Sequence, residues 1–165
     1  MVQVVKDPLG TKGARLTTDI TLPSRYLVFM PGASHVGVSQ RIDSESERNR
    51  LKKVVSRYCD EHGGFIIRTA AEGADSNELA QDAAFLKRLW LKVLERRGKH
   101  KARTRLYGEL CLSQRILRDF VGTELSRIQV DSRLEYENLK EFTSEYVPEL
   151  TEKLELYEGD KPIFD

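Results

Sequence analysis

The sequence predicts a mixed fold of α+β or α/β class, in the order β-α-β-α and then α-β-α-β, and three observations carry that expectation. Short apolar or alternating runs of strand length stand at residues 26–30, 65–67, 127–131 and 153–157. Segments of helical period lie around them, several opened by a capping signal. Glycine and proline punctuate the joins.

Taken in order, residues 2–6 and 14–20 are strand-like and are joined by a loop at 7–13 that contains Pro8, Gly10 and Gly13. Two strands make no independent sheet, so this pair is expected to lean on a neighbour or a larger barrel. Residues 26–30 form the next strand, closed by Pro31 and Gly32, and a glycine-containing loop runs on to Arg41 and Ile42. Ser44 with Glu47 reads as a capping box for a first helix, in which Leu51, Val54, Val55, Tyr58 and Cys59 keep helical spacing until Gly63. Phe65, Ile66 and Ile67 follow as a short buried strand. Asp75 with Glu78 repeats the box for a second helix that buries Leu79, Ala83, Leu86, Trp90 and Leu94 and ends before Gly98; Phe85 and Trp90 read as core rather than as base-stacking platforms. A third helix is expected to start at Ser113 and bury Ile116, Leu117, Phe120 and Val121. After the strand at 127–131, Ser132 and Glu135 cap a fourth, which buries Leu134, Leu139 and Phe142.

At 165 residues the chain can bury a core without staples, as one domain or two small ones. Its two cysteines, Cys59 and Cys111, are too few for a disulfide framework and read as reduced thiols. No apolar run approaches the roughly 20 residues of a membrane helix, and the N-terminus lacks a signal-peptide layout. A soluble, cytoplasmic protein with no membrane partner is the expectation. Net charge is +1, but it is unevenly spread: from Lys87 to Arg105 nine cations face one anion, and from Asp131 to Asp165 eleven carboxylates face four cations. Such asymmetry marks either a phosphate-facing side or a solvated helix face.

Binding chemistry is better represented than catalysis. In the stretch Gly63 to Asp75 an apolar run ends on Arg68 and Thr69, inside a small-residue loop that precedes a helix. Arg68 can supply a bidentate fork, Thr69 a hydroxyl, and Gly73 with Ala74 leaves room for a close backbone approach. The plain alternative is that Arg68 leaves the sheet edge for solvent. Lys12, in its Gly-flanked loop, either reaches a phosphodiester backbone or is a solvated turn residue. The loop from Met30 to Ile42 adds Arg41 on the same side, if the strands at 26–30 and 65–67 pair. Against these stand carboxylates in capping positions and on polar helix faces, with no pair in an apolar surround. His35, His62 and His100 have no partner pattern, Cys59 and His62 lack a second pair of metal ligands, and neither Ser34 nor Ser39 sits in a nucleophile elbow. No cofactor or metal site is expected in this segment.

The motifs GTKGARLTT at 10–18, YLVFMP at 26–31, GVSQRI at 37–42 and IRTA at 67–70, continued by Asp82, Phe85, Trp90, RDF at 118–120 and YEGDKPIF at 157–164, closely resemble the ribonuclease E/G family, the ribonuclease G branch in particular. These are endoribonucleases of ribosomal and transfer RNA maturation and messenger RNA decay. The resemblance implies a middle piece of the catalytic region, α+β in class: the last strands of an OB-fold RNA-binding domain at 1–18, a sensor of the 5′-monophosphate of RNA at 19–112, and part of a ribonuclease-H-like subdomain at 113–165. By resemblance, Arg68 and Thr69 match the pair that grips the terminal phosphate, Val28 the strand residue whose backbone amide assists, and Lys12 an OB-fold lysine on RNA. Ser24 stands where the other branch has a glycine, and Gln40 precedes Arg41 where that branch has two arginines, so either Arg41 acts alone or that loop contact is weaker. The resemblance places the catalytic Mg2+ aspartates and the Zn2+ link of the full-length enzyme elsewhere, so this segment is expected to be inactive alone. Its implied partners are single-stranded RNA with a 5′-monophosphate, the remaining subdomains and further copies in a homo-oligomer. Two rival readings are a protein-interaction module and a small phosphatase or hydrolase; the latter needs a base and an oxyanion site that the sequence does not display.

Overall fold

The computed structural model describes residues 1–120 and 125–164 and divides into two compact units, Met1–Trp90 and Leu91–Asp165. Both mix helices with small sheets.

In the first unit, β1 (Gln3–Lys6) and β2 (Arg15–Thr17) form an antiparallel pair, with Gln3 opposite Thr17 and Val4 opposite Leu16. The Gln3 amide clasps the next segment: its Nε2 donates to the Thr21 carbonyl at 2.9 Å and its Oε1 accepts the Thr21 N–H at 2.8 Å. A four-stranded sheet follows from β3 (Leu22–Pro23), β4 (Leu27–Met30), β5 (Val36–Val38) and β6 (Gly64–Ile67), in the order β3-β4-β6-β5. β3, β4 and β6 run antiparallel, whereas β5 is parallel to β6. A parallel neighbour needs a crossover, and α1 (Glu45–Val55) is that connection. The segment expected to be loop up to Arg41 therefore contains a strand, β5.

The side-chain alternation of β4 and β6 sends Leu27, Phe29, Phe65 and Ile67 into the core, while Val28 and Met30 stay half-buried and Ile66 is exposed. Phe29 packs 5.2 Å from the Phe65 ring and 6.4 Å from Trp90. Leu51 and Val55 of α1 and Leu79, Phe85, Leu86 and Leu89 of α2 (Ser76–Lys99) are also buried, each such side chain contributing about 1.5–3 kcal/mol. Gly64 is required where β6 meets the turn before β5, because a Cβ there would stand 2.2 Å from the His35 carbonyl, the group that accepts the Phe65 N–H.

Two of the three expected capping pairs, those of the first unit, fare differently. At α2 the box is reciprocal: Asp75 Oδ1 accepts the Glu78 N–H at 2.8 Å and Glu78 Oε2 accepts the Asp75 N–H at 2.9 Å. At α1 Ser44 accepts the Glu47 N–H at 3.3 Å, but the Glu47 carboxylate turns instead to Arg50 and Gly73. α2 also passes through Gly98 to Lys99 rather than ending before it, and Leu94 is only half-buried.

The second unit holds the end of α2, α3 (Leu112–Asp119), β7 (Ile128–Val130), α4 (Arg133–Tyr146) and β8 (Leu154–Leu156), with β7 parallel to β8. Its core gathers Leu110, Leu117, Leu139, Phe142, Tyr146, Val147 and Leu150, and Arg96 reaches both oxygens of Glu145 at 3.2 Å. α3 starts one residue early, because the Cys111 N–H is taken by Gln114 Oε1 while the Ser113 hydroxyl donates to Glu135. Three residues expected in the core are exposed: Ile116 at 47%, Phe120 at 44% and Leu134 at 74%. Leu134 lies in the first turn of α4, short of the buried stripe that begins at Leu139. Val121 lies outside the described residues.

Candidate functional site

The parallel pair β5–β6 brings two carboxyl ends to one edge of the sheet, Val38 beside Ile67, and the antiparallel pair β4–β6 adds the start of β4 there, Leu27 beside Ile67. Three loops therefore open at the same edge: residues 24–26, 39–41 and 68–71. A crevice outside the carboxyl ends of parallel strands is where ligands of open α/β sheets sit.

Arg68 leaves β6 in extended conformation and precedes a 3₁₀ turn, Thr69–Ala71. Its backbone N–H donates to the Tyr26 carbonyl at 2.9 Å. Its side-chain Nη1 donates to the carbonyls of Ser24 and, at 3.3 Å, of Arg25. These anchors fix the exposed guanidinium on the 24–26 turn through one nitrogen, and its other N–H groups are left to form a fork toward an anion. The Thr69 hydroxyl lies 3.1 Å from the Ser39 hydroxyl, which accepts the Arg41 N–H at 3.3 Å; the Ser39 N–H holds the end of β6 by donating to Ile67 O at 2.9 Å. Ser39 thus joins Thr69 to Arg41.

The other candidates take different places. Ser24 is fully buried, donates its hydroxyl to Asp82 Oδ1 at 2.6 Å, and touches Arg68 through its carbonyl. Val28 stands one step inside the sheet, between Pro23 and Ile66. Lys12 lies on the separate β1–β2 hairpin, exposed in a tight turn where it exchanges two backbone hydrogen bonds of 3.1 Å with Leu9, and where Gly10 takes the left-handed φ of +57° that glycine tolerates.

Three contributors were not assigned to this site from the sequence. Arg25, between Ser24 and the strand, lies 4.6 Å above the Tyr26 ring. Ser39 follows the unread strand β5. Asp82 corrects the expectation that carboxylates occupy caps and polar helix faces: it is 7% exposed, and besides Ser24 its Oδ2 accepts the N–H groups of Tyr26 at 3.0 Å and Leu27 at 2.9 Å. Its signal was an acid set inside an apolar stripe, between Leu79 and Ala83.

Around this edge the charges are fixed by specific partners. The Tyr26 hydroxyl donates to Glu78 at 2.8 Å, and burial, reinforced by that bond, pushes its pKa up to about 12, so it remains a donor at neutral pH. Glu47 accepts Arg50 and the Gly73 N–H, which hold its carboxyl down at about 2, and Arg50 donates onward to Ala74 O at 2.8 Å. Together they tie α1 to the loop that follows Thr69. Among the described residues no group of three or more His, Cys, Asp or Glu is placed to hold a metal ion. Among the same residues no helix is long and apolar enough to cross a membrane. What the edge offers is a guanidinium, two hydroxyls and a second arginine, chemistry suited to a tetrahedral anion.

Comparison with known proteins places these residues in context. The family model of the ribonuclease E/G family matches residues 21–165. The chain is 76% identical to ribonuclease G of Escherichia coli strain K12 over 165 residues, all of this chain and 34% of that relative. It is 67% identical to ribonuclease G of Haemophilus influenzae over the same span and share. Against ribonuclease E of Nostoc sp. it is 39% identical over 142 residues, 86% of this chain and 21% of the relative. The chain spans about a third of the length of the ribonuclease G relatives it matches.

Proposed function

The chain belongs to the ribonuclease E/G family, and from that premise we propose that it forms the RNA-binding, 5′-monophosphate-sensing segment of a ribonuclease G-like endoribonuclease acting in RNA processing and decay in the cytoplasm. The observation that carries this reading is the convergence of Arg68, Thr69, Ser39 and Arg41 at one sheet edge, with Arg68 anchored by its Nη1 to the turn at Ser24 and Arg25.

In this reading the terminal phosphate sits beyond the ends of β5 and β6. Arg68 meets it with the N–H groups that the turn does not use, Thr69 and Ser39 supply hydroxyl donors, Arg41 adds charge, and a backbone amide near Val28 completes the ring of donors. Lys12 contacts the RNA further along, through its backbone phosphates. Residues 1–18 belong to an OB fold, 19–112 to the sensor and 113–165 to a ribonuclease-H-like subdomain, and the remaining subdomains complete the enzyme within a homo-oligomer. This segment binds the end of the RNA and does not cut it.

The test is a binding comparison between one single-stranded RNA oligonucleotide bearing a 5′-monophosphate and the same oligonucleotide bearing a 5′-hydroxyl. Tighter binding of the monophosphate form supports the reading; equal binding of both overturns it.

A further inference from the structure

We propose that Asp82 is the positioning residue of the phosphate site: from inside the core it sets the 24–27 turn so that the Ser24 carbonyl is available to hold Arg68. This rests on the phosphate-sensing reading above and adds to it a control point buried on α2.

The argument starts from the turn. Ser24 and Leu27 bracket Arg25 and Tyr26 between β3 and β4, and the Ser24 N–H donates to Leu27 O at 2.8 Å. A two-residue hairpin closes with a second bond, from the Leu27 N–H to Ser24 O. Here the Leu27 N–H goes instead to Asp82 Oδ2 at 2.9 Å, and the Tyr26 N–H joins it at 3.0 Å. The Ser24 hydroxyl satisfies the other oxygen at 2.6 Å. By diverting the Leu27 N–H, the carboxylate leaves Ser24 O for Arg68 Nη1, with Arg25 O beside it at 3.3 Å.

A carboxylate suits this place best. A buried, ionised acid is tolerated when its lone pairs are met, and three donors converge on this one. An amide can keep its oxygen toward the Tyr26 and Leu27 N–H groups and donate its NH2 to the Ser24 hydroxyl oxygen, but that oxygen is neutral, so both backbone bonds lose their charge assistance. Asp82→Asn therefore keeps the volume and weakens the pattern: a neutral oxygen holds the Leu27 N–H less tightly, and that N–H is drawn toward Ser24 O, where it competes with Arg68. Arg68 then loses its fixed direction while keeping its charge.

The experiment measures the affinity ratio of 5′-monophosphate over 5′-hydroxyl RNA in the wild-type chain, Asp82→Asn, Arg68→Ala and the double variant, at equal folded fraction checked by circular dichroism. We expect Asp82→Asn to lower the ratio about threefold to tenfold, the worth of one ordinary hydrogen bond, with 5′-hydroxyl binding unchanged and no further loss on top of Arg68→Ala. A folded Asp82→Asn protein with an unchanged ratio overturns this proposal and leaves the sensing reading standing, provided Arg68→Ala collapses the ratio. An Asp82→Asn loss that persists in the Arg68→Ala background also overturns it, since the effect then bypasses Arg68. An Arg68→Ala protein that keeps the ratio overturns the sensing reading and the proposal with it. If Asp82→Asn does not fold, Ser24→Ala, which removes only the donor to Oδ1, serves in its place: about a twofold loss is expected, and an unchanged ratio overturns the proposal.

Discussion

Glu47 on α1 accepts the backbone N–H of Gly73 at 3.0 Å, across 26 residues of sequence, while both its oxygens take Arg50 at 2.7 Å. Gly73 carries a left-handed φ of +77°, so this bond pins the loop between Thr69 and α2 at its most conformationally permissive residue.

That bond predicts a pH-dependent part of the stability. The Glu47 carboxyl is lowered from 4.5 to about 2 by Arg50 first and Gly73 second. Because the folded value is depressed, the contribution is complete above about pH 4.5 and is lost as pH falls toward 2. Glu47→Gln should cost about 1 kcal/mol at pH 7, a charged hydrogen bond discounted for an Arg50 side chain that is 40% exposed. In thermal melts that is a drop of about 2–4 °C. The gap between variant and wild type should narrow steadily from pH 5 to pH 2.5; a constant gap would assign the loss to packing.

The sequence made the regular parts of this fold legible and left the long-range ones hidden. The Asp75–Glu78 box is a local signal and formed as read, and the apolar run Phe65–Ile67 formed its strand, though with Ile66 turned outward rather than buried. β5 escaped notice because three residues with Gly37 at the centre carry no pattern of their own, and its partner β6 lies 26 residues beyond its end. Ser44 with Glu47 looked like a complete box, yet the carboxylate found a tertiary partner that outbids the local one. The same limit applied at the site. Arg68 and Thr69 stood out at the end of an apolar run, whereas Asp82 acts on residues 55 to 58 positions earlier, so it entered only as one residue of the family resemblance, with no role attached. Ile116 and Leu134 kept helical spacing but lie on faces that the described residues leave exposed.

Arg68→Ala should weaken binding of 5′-monophosphate RNA by roughly tenfold to a hundredfold and that of 5′-hydroxyl RNA far less, because a hydrogen bond to an ion is worth ~1.5–3 kcal/mol. Arg68→Lys should restore little. A lysine keeps the charge but cannot hold Ser24 O and Arg25 O while presenting a planar fork outward. Fluorescence anisotropy with both RNAs measures this; equal losses would assign Arg68 to general backbone contact.

The purified chain is expected to leave single-stranded RNA intact in the presence of Mg2+. Hydrolysis of a phosphodiester with a metal-activated water needs ligands that hold the ion beside the scissile bond, and the described residues offer no such cluster. Gel analysis of an end-labelled oligonucleotide checks this, with nuclease-contaminated and mock preparations as controls. Metal-dependent cleavage that co-purifies with the chain would refute it.

Selection of the RNA end should itself depend on pH, through the ligand. An internal diester carries one charge at any accessible pH, whereas a terminal monoester gains most of a second charge above its second pKa of about 6. A guanidinium fork and hydroxyl donors at Arg68, Thr69 and Ser39 favour the form with more charge and more acceptor lone pairs. Protonation of the monoester removes one charge and turns one oxygen from acceptor to donor, facing groups that themselves only or mainly donate. The affinity ratio of 5′-monophosphate over 5′-hydroxyl RNA should therefore fall as pH drops from 7 to 5, steepest near 6, while 5′-hydroxyl binding changes less. Glu47 stays ionised across this range, with its carboxyl at about 2, so the loop after Thr69 keeps its tether and the fall cannot be assigned to a loosened site. A ratio that stays flat at fixed salt would show that the end is chosen by shape or by the first base rather than by phosphate charge.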